Sequence, residues 1–174
     1  MNLEYAMGLV FGLAVGLGVV ALLFKKKVLD MTFDERQERA RGKAYQYGFL
    51  AMAVSIILYG ILDVTVGEWC DTLTGNLICF CIGLTVFAVT CILNDAYLSL
   101  KEQPRKVMTL CFLVALMNLA IGWVNAANGT VIVDGKLSTG AVNLIVGVMS
   151  LVILAVYIVN YLLRERETER RIFA

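Results

Sequence analysis

The sequence predicts an all-α polytopic membrane protein with five transmembrane helices, and three observations carry that prediction. First, no charged residue lies between Glu4 and Lys25, Lys43 and Asp63, Asp71 and Asp95, Lys106 and Asp134, or Lys136 and Arg164. Each gap holds roughly the 20 apolar residues that an α-helix needs to cross about 30 Å of hydrocarbon. Second, 60% of the 174 residues are hydrophobic and only 17% are charged. The mean hydropathy of +0.80 is too apolar for a soluble domain of this length. Third, the basic residues are sorted by location. Fourteen of fifteen fall in the segments after the first, third and fifth runs, leaving Lys136 alone on the other side. The positive-inside rule makes those segments cytoplasmic, so the N-terminus is outside and the C-terminus inside.

In chain order, the spans are expected near residues 5–24, 44–62, 75–94, 107–124 and 140–162 of one five-helix domain covering residues 1–174. The first reads as a permanent anchor, because Lys25, Lys26 and Lys27 follow the apolar stretch instead of preceding it. The second is expected to begin in the cytoplasm. Thr32 followed by Glu35 matches a capping box, and Glu35 and Arg39 pair at i,i+4 in the favourable order. Nothing from Phe33 to Leu62 forbids one continuous helix, with Gly42 and Gly48 as mild weak points. In the outer loop 63–71, Trp69 suits the headgroup belt. In the outer loop 125–139, Asp134-Gly135 follows the β-branched run Val131-Ile132-Val133, a two-residue hairpin signal. The single proline, Pro104, lies in the inner loop 99–106 and interrupts no span.

Within the spans, Gly8, Gly12 and Gly16 recur at spacing four, forming a groove where a second backbone can approach closely. Packing against another span and a homodimer contact both use such a groove. Gly75, Cys79 and Gly83 form a similar small-residue stripe on the third span. Asn118, in the middle of the fourth, reads as polar glue between helices or as one wall of a transport path. Asp95 closes the third span, where a carboxylate is costly unless paired or hydrated. It is read either as a boundary carboxylate in headgroup water or as the ion-pair partner of Lys43 or of an arginine of the second helix.

Asp34-Glu35-Arg36, six further residues and then Lys43-Ala44 directly before an apolar span form a recognisable pattern, joined by Asn94-Asp95-Ala96-Tyr97 at the end of a later span. The combination resembles several families of small multi-spanning prokaryotic membrane proteins of unknown function, over residues 30–62 and 90–100. The resemblance implies a signalling or regulatory role beside helix-turn-helix regulators, and no catalytic residue.

The chain has no histidine, which excludes imidazole acid–base catalysis and histidine-based metal or haem ligation. It has no glycine-rich phosphate loop and no nucleophile motif. No cofactor is expected. The expected role is non-enzymatic: a sensor, adaptor or regulator in the inner (cytoplasmic) membrane. Residues 32–43, 99–106 and 164–174 would meet a cytoplasmic protein partner, with Asp34, Glu35, Arg36, Arg39, Lys43 and Asp95 as candidate docking or coupling residues. Direct nucleic-acid binding is not expected. The alternative is a small transporter or channel working as a homo-oligomer.

Overall fold

The computed structural model describes residues 32–100 and 103–172, together with Ala14 and Gly18. Among these residues four helices are long and apolar enough to cross a membrane. The expected first span, with Gly8, Gly12 and Gly16, lies outside the described residues.

Helix α1 covers Glu35–Val66. At 1.5 Å per residue its 32 residues extend about 48 Å, well beyond the roughly 30 Å of a hydrocarbon core. Its capping box differs from the one read in the sequence. Asp34, not Thr32, is the N-cap: its Oδ1 accepts from the Gln37 backbone N at 2.6 Å, and Gln37 Oε1 accepts from the Asp34 N at 3.2 Å. The shift has two causes. Aspartate caps a helix at least as well as threonine, and the Thr32 carbonyl is already taken by the Leu100 N–H at 3.0 Å. Glu35 is thereby left exposed, bound to Arg39 at 2.6 Å.

Helix α2 covers Thr72–Leu93 and returns antiparallel to α1. The two approach most closely where Gly48 faces Gly83. A Cβ on Gly48 would stand 2.9 Å from the Gly83 carbonyl oxygen, so any larger residue must push the backbones apart. In lipid no hydrophobic force drives helices together, and close backbone packing of this kind holds them. Gly75, Cys79 and Gly83 are all buried along this seam.

Helix α3, Pro104–Ala127, starts with its proline in the first turn, where the missing N–H costs nothing. A hairpin follows: β1 (Ile132–Val133) pairs antiparallel with β2 (Lys136–Leu137), with Ile132 opposite Leu137. Asp134 and Gly135 both take positive φ, 51° and 75°, as a primed two-residue turn demands. A 3₁₀ turn, Thr139–Ala141, leads into α4, Val142–Ile172.

The main packing contacts join α1 to α2, α2 to α4 and α4 to α3. The helices therefore stand in a row in the order α1–α2–α4–α3, with the inner pair running parallel. One end of the row gathers the start of α1, residues 94–100 and the charged end of α4. At the opposite end, the hairpin straps the α1–α2 connection to α4. Leu137 N donates to the Trp69 carbonyl at 2.9 Å, and Asp71 N to the Leu137 carbonyl at 2.8 Å. Glu68 and Lys136 form an ion pair there, which lowers the carboxyl pKa and raises that of the ammonium. Trp69 packs edge-on to Tyr59 with 5.8 Å between rings. Cys70 is only 4% exposed, and burial pushes its thiol pKa up.

A polar joint at the charged end of the bundle

The joint begins with how α2 ends. Ala96 N donates to the Cys91 carbonyl at 2.8 Å and Asp95 N to the Ile92 carbonyl at 3.2 Å. This pair of bonds is a Schellman closure, whose left-handed position glycine usually occupies. Here Asp95 occupies it, at φ 54°. A left-handed conformation costs a non-glycine residue on the order of 1 kcal/mol. Asp95 therefore stands at a position where its side chain must be held by something else.

Two guanidinium groups hold it. Arg164, from α4, donates to Asp95 Oδ2, and Arg36, from the first turn of α1, lies 3.9 Å from the same oxygen. These groups are between 38% and 65% exposed, so each pair is worth well under the energy of a buried one. The backbone of the turn is held more firmly. Gln37, 7% exposed, donates from Nε2 to the carbonyls of Asp95 at 2.7 Å and Leu98 at 3.3 Å. Arg41 donates to the Ala96 carbonyl at 3.0 Å, and its guanidinium lies 4.1 Å above the Phe33 ring. From α4, Asn160 Nδ2 donates to the Ile92 carbonyl at 3.1 Å. The carbonyls of the turn after α2 are thus satisfied by side chains from α1, and Asn160 of α4 adds a second donor to the Ile92 carbonyl.

Lys43 takes no part in this cluster. Gln37 is the residue of α1 level with Asp95, and Lys43 lies six residues further along, about 9 Å. It is exposed, while the next residue, Ala44, is fully buried against α2. Asp34 serves as the N-cap, and Glu35 and Arg39 pair on the outer surface at 80% and 77% side-chain exposure. Of the six candidate docking or coupling residues, the structure brings Arg36 to Asp95 and leaves Lys43 apart. Asn118 is half-buried on α3 and donates to the Val114 carbonyl of its own helix at 2.8 Å. It meets neither Asp95 nor the joint.

Sequence reasoning missed Gln37, Arg41, Asn160 and Arg164 as members of the joint. A faint signal existed for the last two. Asn160 is an amide near the end of an apolar run, four residues before Arg164, so the pair shares one face of α4. Arg164 Nε reaches Asn160 Oδ1 at 3.5 Å.

The segments that carry the motifs, 34–44 and 94–97, thus meet at one end of the bundle. The arrangement offers one carboxylate, three guanidinium groups and two amides, suited to recognition and to mechanical coupling between helices. No family model, curated protein or solved structure matches the chain.

Proposed function

We propose that the protein is a five-span inner-membrane protein, N-terminus outside and C-terminus inside, acting as a non-enzymatic sensor, adaptor or regulator through its charged end. The sorting of fourteen basic residues to one side supports the orientation. The four long apolar helices support membrane insertion.

The observation that carries the functional reading is the attachment of the start of α1 to the end of α2. Gln37 and Arg41 bond three carbonyls of the 95–98 turn, and Asp95 links Arg36 to Arg164 of α4. A cytoplasmic protein that docks on the exposed Glu35–Arg39 surface pulls on a segment bound directly to two other helices. The surface is accessible, and the joint behind it transmits the load.

Purification in a mild detergent tests the reading. A stoichiometric soluble partner is expected to accompany the wild-type chain and to be lost from a Glu35→Lys, Arg39→Glu variant that retains its helicity. Substrate-dependent flux in liposomes without any such partner would overturn the reading in favour of a transporter. Orientation needs its own probe, because Cys70 is buried and its raised thiol pKa slows labelling from either side. Asn128→Cys, at the exposed C-cap of α3, is expected to react with an impermeant thiol reagent outside intact cells. Reaction only after the cytoplasm is opened would reverse the topology.

A further inference from the structure

An apolar groove of about 230 Å³ runs between α1 and α2. Its floor is the Gly48–Gly83 contact, and Tyr45 and Phe87 close one end with their rings stacked 4.5 Å apart. Phe49 and Phe80 stand beside it, 63% and 50% exposed. Exposed rings alone would suit lipid, but their spacing says more. A Cβ on Gly83 would meet both the Gly48 carbonyl oxygen and Met52 Cβ, at 2.9 and 2.8 Å, so Gly83 stands level with Leu50. Phe80 is then level with Ala53, four residues or about 6 Å beyond Phe49. That is the rise separating Gly12 from Gly16 on a helix.

Depth gives the same pairing. The uncharged run from Glu4 to Lys25 is centred between Ala14 and Val15, and the run from Asp71 to Asp95 on Gly83. Under the proposed topology both run from outside to inside. Gly12 and Phe80 then lie outward of the centre by nearly the same rise, and Gly16 and Phe49 lie just inward of it. A slip of one turn would still bring a glycine pair to the rings. Reach agrees as well. The eight residue steps from Phe24 to Thr32 extend at most about 28 Å. Neighbouring helices stand about 8–10 Å apart, so α1 and α2 are within easy reach, while α3, three steps along the row, needs nearly full extension. Ala14 and Gly18 are helical and exposed, and nothing lies within 4 Å of a Cβ on Gly18. At about 100° per residue they share the side of a helix opposite Gly8, Gly12 and Gly16, which leaves the glycine side for packing.

We propose that the first span, residues 5–24, seats its Gly8–Gly12–Gly16 face in this groove, the Phe80 ring against Gly12 and the Phe49 ring against Gly16. A protruding ring opposite a bare glycine gives the close van der Waals contact that holds helices together in lipid. The span then clamps α1 to α2 over the contact of their two glycines.

The inference rests on the five-span topology proposed above, and the test separates the two. Photoreactive benzoylphenylalanine replaces Phe80 in the otherwise unchanged full chain, which is irradiated in native membranes, and the adducts are mapped by peptide mass spectrometry. Linkage to residues 8–16 of the same chain is expected. Gly12→Leu should lower its yield about tenfold, whereas Ala14→Leu, on the opposite side, should leave it unchanged. Linkage to phospholipid alone would overturn the inference by showing an open groove, and a product of doubled mass would assign the groove to a second copy. Equal yields from the two leucine variants would also overturn it. Asn2→Cys reports on topology: reaction with an impermeant thiol reagent only after the cytoplasm is opened fails the orientation. Reaction outside intact cells together with linkage only to lipid fails the docking alone.

Discussion

Replacing Gln37 by leucine tests whether the joint holds the bundle together. The leucine matches the size of the side chain but removes three hydrogen bonds: those to the Asp95 and Leu98 carbonyls, and the acceptor for the Asp34 N–H. At about 1 kcal/mol net for each bond, the gross loss is about 3 kcal/mol. Burying a leucine at a site only 7% exposed returns about 1 kcal/mol. The expected net loss is about 2 kcal/mol. Gln37→Glu is a sharper probe. It keeps an acceptor for the Asp34 N–H but turns a carboxylate towards two carbonyl oxygens, so its expected loss exceeds that of leucine. Its penalty should shrink under acid, because the protonated carboxyl can donate to one of those carbonyls. Equilibrium unfolding in mixed micelles measures both variants. A leucine variant within about 0.5 kcal/mol of wild type would refute the argument, since ordinary surface substitutions fall in that range.

At the left-handed position, Asp95→Gly should be more stable than Asp95→Ala by about 1 kcal/mol, since both lose the ion pairs and only glycine relieves φ 54°; equal thermal stabilities would remove the strain from the account. A double-mutant cycle of Asp95→Asn with Arg164→Gln should give a coupling of about 0.5–1 kcal/mol, as expected for a partly exposed pair; additive losses would show that the two do not interact. Gly48→Leu should cost about 1–3 kcal/mol by forcing α1 from α2, whereas Gly42→Ala, with nothing within 4 Å of the added atom, should be neutral or stabilising; unfolding curves in which the two variants coincide would refute the close contact. At the opposite end, the Glu68 carboxyl has its pKa lowered by Lys136, so its contribution to strapping the hairpin is fully present above 4.5 and fades as pH falls through the lowered value. Lys136→Met should abolish this acid sensitivity, measured as amide exchange of residues 132–137, and a persisting difference across that range would assign it to another group.

What could be read in the sequence was local. An uncharged run of about 20 residues marks a helix whatever it packs against, so the expected spans at 44–62, 75–94, 107–124 and 140–162 fall on α1 to α4, with Asn94 as the cap of α2. The hairpin was legible because Asp134-Gly135 fits a turn requiring two successive positive φ values. The joint was much less legible, because it depends on how far α1 slides along α2. That offset is set by Gly48 against Gly83. It places Gln37 beside Asp95, 58 residues later in the chain, and carries Lys43 past it. Nothing near Lys43 records the offset. The capping box was misplaced partly for a similar reason: the Thr32 carbonyl is engaged by the N–H of Leu100, which lies far along the chain.

The Gly48–Gly83 contact also serves as a fulcrum. The inner helices are pinned to each other at both ends, by Asn160 to the Ile92 carbonyl and by Asp71 Oδ2 accepting from the Thr139 N–H at 3.1 Å. α1 stands outside that pinned pair as a lever. From the fulcrum to Gln37 is eleven residues, about 16 Å, and from the fulcrum to Val66 is eighteen, about 27 Å. For a rigid lever these arms are in a ratio of about 1.6, so a displacement of 1 Å at Gln37 becomes about 1.6 Å at the far end. The short arm ends at the joint and the long arm at the strap held by Glu68 and Lys136. For a helix pivoting rigidly at that contact, a displacement at Gln37 would be returned, enlarged and reversed in direction, at the opposite end of the bundle.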